Sequence, residues 1–120
     1  MTARTEQIMG LLGKGKENAV KREVLAAALG VDDRAARQAV CYARLEGNCI
    51  CNEQDGSGYY LPDKEEECRR QFKQTMARAL KLFRQLTPLR HEMERYADKD
   101  QLTLFDTAFE ALSKVVSDGE

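Results

Sequence analysis

Apolar residues return at helical spacing three times before residue 47, and a glycine closes each run. Ile8, Met9, Leu11 and Leu12 predict a first helix over residues 3–13, ended by Gly13 and Gly15. Val24, Leu25, Ala28 and Leu29 predict a second, with Lys21, Arg22 and Glu23 pointing outward. Gly30 stands just past the last periodic residue, where a left-handed conformation ends a helix, and Val31 behind it can drop into the core. Asp32 then restarts the chain as an N-cap, with Asp33 in the favourable first turn. In the third helix Ala36, Ala39, Val40 and Ala43 face inward, and their small size lets the second helix approach closely. Its opposite face carries Arg34, Arg37, Gln38, Cys41 and Arg44.

The period then changes. Asn18 to Val20 is expected to pair as a short strand, and beyond Gly47 the stretch Asn48 to Glu53 alternates, with Cys49 and Cys51 on one face and Ile50 on the other. QDGSG supplies a hairpin turn, GYYLP returns as the second strand, and Pro62 stops it. Asp63 opens a long helix with three glutamates at 65–67 in its first turn. Along it Cys68, Phe72, Met76, Ala79, Phe83, Leu86, Leu89 and Met93 recur at steps of mostly three and four, a coiled-coil-like seam. Pro88 has no N–H to give to the carbonyl of Arg84, so a kink or break is expected there. The seam either packs back on the compact domain or pairs with a second copy, and because an apolar seam of this length is hard to leave in water, a homodimer through the long helix is favoured.

Length and charge bound the function. A chain of 120 residues, 42% of them hydrophobic, can bury one modest core with extensions. Three segments are expected: a compact domain over 1–62, the long basic helix over 63–97, and a tail with a C-terminal helix over 98–120. No apolar run approaches bilayer length, and MTARTEQIMGLLG is too short and polar for a secretory signal, so no membrane association and a cytoplasmic location are expected. The net charge of −1 hides sorting into blocks. Residues 69–91 hold Arg69, Arg70, Lys73, Arg78, Lys81, Arg84 and Arg90 without an acid, whereas 100–120 hold Asp100, Asp106, Glu110, Asp118 and Glu120 against Lys114. Such a helix either meets phosphate or an acidic surface, or simply solvates one face.

Residues 5–62 resemble a winged helix-turn-helix domain of the kind found in bacterial repressors and in many small phage or prophage proteins. The resemblance rests on the LGV turn at Leu29, Gly30 and Val31 and on the aromatic exit Gly58 to Pro62. Where that family usually has Ser or Thr, this chain has Lys21 and Asp32. The implied fold is mainly α with a small β-wing: a winged helix-turn-helix followed by a long coiled-coil-like helix and a C-terminal helix. The implied partner is double-stranded DNA, bound by a phage-type transcription regulator or replication-associated accessory factor. Arg34, Arg37, Gln38 and Arg44 stand on the helix that would read bases, and arginine and glutamine suit guanine and adenine edges. Asp32 and Asp33 at the start of that helix, and Glu53 and Asp55 in a wing without Lys or Arg, place negative charge where phosphates would approach. A non-enzymatic protein-interaction adaptor on the same scaffold is the alternative.

The tail offers a second resemblance. QLTLF at Gln101 to Phe105 is similar to the peptide by which bacterial polymerases and repair proteins dock on the replicative sliding clamp. That resemblance implies Gln101 in a polar subsite, with Leu102 between and Leu104 and Phe105 filling a hydrophobic pocket. Alternatively Thr103 and Asp106 form a capping box, and Phe105, Ala108, Phe109, Leu112 and Val116 are the stripe of an ordinary C-terminal helix.

Candidate chemistry is sparse. Cys41, Cys49, Cys51 and Cys68 contain no CxxC pair, and His91 is the lone histidine, so buried structural thiols are expected and neither a metal nor another cofactor. His91 has no nucleophile at a motif spacing, and Lys14-Gly15-Lys16 lacks the rest of a phosphate loop, so no catalytic site and no enzyme activity are expected.

Overall fold

A computed structural model describes residues 1–96 and 107–115. The protein is mainly helical, with α1 at Ala3–Leu11, α2 at Arg22–Leu29, α3 at Asp33–Leu45, α4 at Glu65–Arg84 and α5 at Leu86–Met93, and residues 107–115 are also helical. A short 3-10 turn spans Lys16–Asn18, and two strands, β1 at Cys51–Asn52 and β2 at Tyr59–Tyr60, complete the fold. No described helix is long and apolar enough to cross a membrane. The chain divides into two compact units, residues 1–74 and 75–120.

In the first unit three helices pack around Ile8, Leu12, Leu25, Leu29, Val40, Ala43, Ile50 and Tyr59. Side chains cap two of the helix starts. Thr2 accepts from Thr5 N at the head of α1, and the Asp32 carboxylate accepts from Ala35 N at 2.8 Å at the head of α3. Gly30 closes α2 with φ of 70°, and Arg4 donates to the Leu29 carbonyl at 3.0 Å, satisfying the same helix end from outside. Thr5, fully buried, donates to Glu46 at 2.6 Å and so ties α1 to the end of α3.

Two expected features are shifted. Leu25, Ala26 and Leu29 are the buried positions of α2, whereas Val24 and Ala28 are exposed. An eight-residue helix packed through so narrow a stripe covers fewer positions than the periodicity suggests. The first helix likewise ends at Leu11 rather than residue 13, with Leu12 serving as its C-cap.

The strands pair antiparallel, Cys51 with Tyr60 and Asn52 with Tyr59. Val20 adds a single antiparallel bridge on the other side of Tyr59, and Lys14 bridges Leu61. The expected alternation fails here, since Ile50 and Cys51 are both buried and Cys49 is exposed. The reason is that the sheet is covered twice. Ile50 and Tyr59 enter the helical core, while the first turns of α4 cover the other side, where the Cys51 thiol meets the Glu67 carbonyl and Asn52 N donates to Gln71.

Glu67 fastens that cover. It is buried, and its carboxylate accepts from Asp63 N at 2.8 Å, Lys64 N at 3.1 Å and Lys16 N at 2.8 Å. The first two contacts satisfy donors at the helix start, and the third reaches across to the 3-10 turn. These contacts carry the first unit past Pro62 into α4.

In the second unit, Phe83 stacks on Phe109 with centroids 4.8 Å apart, and the Arg90 guanidinium lies 5.0 Å from the same ring. The helix break falls at Gln85, three residues before Pro88. Restarting at Leu86 puts Pro88 in the first turn of α5, where its missing N–H has no intrahelical acceptor to serve.

Candidate functional site

The outward face of α3 is open. Arg34, Arg37, Gln38 and Cys41 are all exposed, on a helix whose inner residues Ala36, Val40 and Ala43 are buried. The inward set predicted from the sequence thus holds, with Ala39 partly buried beside it. The side chains of Arg34 and Gln38 make no hydrogen bond or ion pair among the described residues.

Arg44 behaves differently. Its Nε donates to the Ile50 carbonyl at 2.9 Å and its terminal nitrogen to the Asn52 side chain at 2.9 Å. It braces α3 against the entry to β1, so the structure sets it apart from Arg34, Arg37 and Gln38. Two further outward residues of α3, Tyr42 and Leu45, are 55% and 81% exposed. Sequence reasoning passed over them, although large apolar side chains four and seven positions beyond Gln38 would have placed them on the same ridge.

The acids at the head of α3 are engaged. Asp32 caps the helix, and Asp33 lies between two arginines, at 2.8 Å from Arg22 and 3.2 Å from Arg37. The wing acids are engaged too. Asp55 pairs with Lys16 at 2.8 Å and accepts from Ser57, contacts that hold its carboxyl well below the usual carboxylate range. Glu53 accepts from the Tyr60 hydroxyl at 2.7 Å and from Arg70 at 3.0 Å. Burial and the Glu53 contact push the Tyr60 phenol up, so it stays a donor. The cations that answer the hairpin's charge come from elsewhere in the chain, which is why the segment 53–58 looked acidic when taken alone.

A polar cleft of about 360 Å³ runs between α2 and the hairpin, lined by Arg22 and Glu23 of α2 and by Asn52, Glu53, Gln54 and Tyr59 among the hairpin residues. Gly58 makes the adjoining contact possible. It has φ of 104°, and a Cβ there would lie 2.1 Å from the Val20 carbonyl oxygen.

Only Cys51 is a buried thiol; Cys41, Cys49 and Cys68 are exposed, contrary to the expectation of buried structural cysteines. Cys41 lies on the outer face of α3, and Cys49 and Cys68 flank the strand rather than enter it. Burial first, then the neighbouring Cys49, pushes the Cys51 thiol up to about 12. Among the described residues no group of His, Cys, Asp and Glu is arranged to hold a metal ion. Gln101, Leu102, Leu104 and Phe105 lie outside the described residues. Comparison of the chain with protein-family profiles, curated proteins and solved structures finds no match.

Proposed function

We propose that the first unit is a DNA-binding module of the winged helix-turn-helix type, with α3 as the helix that enters the major groove and the β1–β2 hairpin as its wing. The observation that carries this reading is the outward face of α3, where Arg34, Arg37 and Gln38 are solvent-exposed around a helix anchored on its other side by Ala36, Val40 and Ala43. Residues near the N-terminus of such a helix are the ones that reach base edges, and these side chains can pair with guanine or adenine there. The pairing of Asp33 with Arg22 lowers the negative charge at the head of the helix, where Asp32 serves as the cap. The hairpin carboxylates, each matched by a cation, no longer set a repulsive wing against phosphate.

The test is a mobility shift with duplex fragments selected by the intact protein from a random pool. Arg37→Ala with Gln38→Ala should abolish the preference for the selected sequence while leaving the fold intact by circular dichroism. Unchanged affinity and preference would end the assignment.

A second reading is favoured by one observation. Tyr42 and Leu45 put an aromatic and an aliphatic side chain in solvent at the C-terminal end of the same face, the composition of a protein contact rather than of a phosphate contact. A protein-interaction adaptor would lose partner binding on Tyr42→Ala with Leu45→Ala and be indifferent to DNA.

A further inference from the structure

The long helix carries two apolar stripes, and the structure separates them. Met76, Leu80, Phe83 and Arg90 are partly covered, the last two by Phe109. Leu82, Leu86, Leu89 and Met93 follow one another at steps of four, three and four, and are 61%, 42%, 59% and 38% exposed. The seam drawn from sequence merged these stripes, placing Phe83 in line with Leu86 and Leu89. Helical spacing permits either assignment, and only the position of Phe109 decides it.

In heptad terms the open stripe supplies alternating core positions, with Ala79 one step before it and Tyr96 one step after. Beside its end lies an open apolar groove of about 420 Å³, lined by Leu89, Glu92, Met93 and Tyr96. On this frame Pro88 falls on the side away from the seam, and Arg78, Gln85 and Glu92 flank it at intervals of seven. The other flank holds Phe83 and Arg90, already engaged by Phe109. One flank is therefore left for a partner, and its charges are arranged symmetrically about Gln85: a cation seven residues before, a carboxylate seven residues after.

We propose that this face is the interface of an antiparallel homodimer, with Leu82, Leu86 and Leu89 buried against the same residues of a second copy and Met93 against its Ala79. A two-fold axis beside Gln85 brings Arg78 of each copy to Glu92 of the other, so that one patch complements itself. A parallel pair would set Arg78 opposite Phe83 and gain nothing from the charges. The existing contact of Glu92 with Arg95 is an exposed ion pair, readily exchanged for one across the interface. The dimer does not depend on the first unit binding DNA.

The experiment is sedimentation equilibrium of the full chain at low salt, with reductant present so that the exposed thiols cannot link copies. The expected mass is twice 13.6 kDa, reduced to 13.6 kDa by Leu86→Asp with Leu89→Asp. Arg78→Glu and Glu92→Arg should each weaken the dimer by about tenfold, since every dimer contains two such pairs. An equimolar mixture of the two single variants should recover the wild-type affinity, because each mixed dimer then has two pairs of opposite sign: one is the native Arg78 with Glu92, and the other is the same pair with its charges exchanged. A monomer at high micromolar concentration, a dimer indifferent to the leucine changes, or a mixture no tighter than its components would each overturn the proposal.

Discussion

Replacing Gly58 by alanine tests how the hairpin is held to the helical core. Two costs fall on this one position. The backbone has φ of 104°, a conformation that costs a residue with a Cβ about 1–3 kcal/mol. The added carbon would also lie 2.1 Å from the Val20 carbonyl oxygen, so the hairpin must move away from residue 20. That movement breaks two hydrogen bonds, Val20 N to Tyr59 O at 2.8 Å and Tyr59 N to Val20 O at 2.9 Å. At about 0.5–1.5 kcal/mol each, they add about 1–3 kcal/mol. Gly56 is the control, because its φ of 84° carries the same conformational cost but a Cβ there meets nothing within 4 Å. Urea unfolding followed by tyrosine fluorescence is the assay, since the chain has no tryptophan and Tyr59 and Tyr60 lie at the site. Gly58→Ala should destabilise the first unit by about 2–6 kcal/mol and Gly56→Ala by about half as much. Equal destabilisation at the two positions would refute the close approach to Val20 as the reason for glycine at 58.

Two further outcomes follow from buried groups in the same unit. Glu67 is held below the ordinary glutamate value by the backbone N–H groups of Asp63 and Lys16, and less strongly by that of Lys64, with burial opposing. Its contribution is therefore complete above the unfolded value of about 4.3 and disappears as pH falls through the lower folded value. Glu67→Gln should remove most of that contribution at neutral pH and make the acid limb of the stability profile shallower; a parallel profile shifted uniformly would contradict this. The thiols should divide by access: Cys41, Cys49 and Cys68 alkylate in the native protein, whereas Cys51 reacts only on unfolding. Peptide mass mapping after brief iodoacetamide treatment reads this directly, and rapid labelling of Cys51 would contradict its burial.

Much of the helical core was legible because it is local. The Gly30 turn, the Asp32 cap and the small inward residues of α3 each depend on neighbours within one or two helical turns. The hairpin's turn was legible for the same reason. Its burial was not: Cys51 and Tyr60 are covered by α4, and an alternating pattern only reports a strand with one wet face. Glu67 looked like a helix-start charge because its contact with Lys16 spans 51 residues. Arg44 looked like its exposed neighbours Arg37 and Gln38, since nothing in helical spacing reveals that a guanidinium turns back to Ile50 and Asn52. The wing's carboxylates misled for a related reason. Their cations, Lys16 and Arg70, lie 39 and 17 residues away in the chain.

The most direct test of the central claim is the salt dependence of duplex binding by the intact protein and by Arg34→Ala with Arg37→Ala. If the outer face of α3 meets DNA, the wild type should bind with a steep inverse dependence on salt. The variant loses base-edge contacts rather than phosphate contacts, so its log–log slope should stay close to that of the wild type while its affinity for the selected sequence falls by about 1–3 kcal/mol for each pairing lost. Identical affinities for the two proteins, or no salt-dependent binding by the wild type, would contradict it.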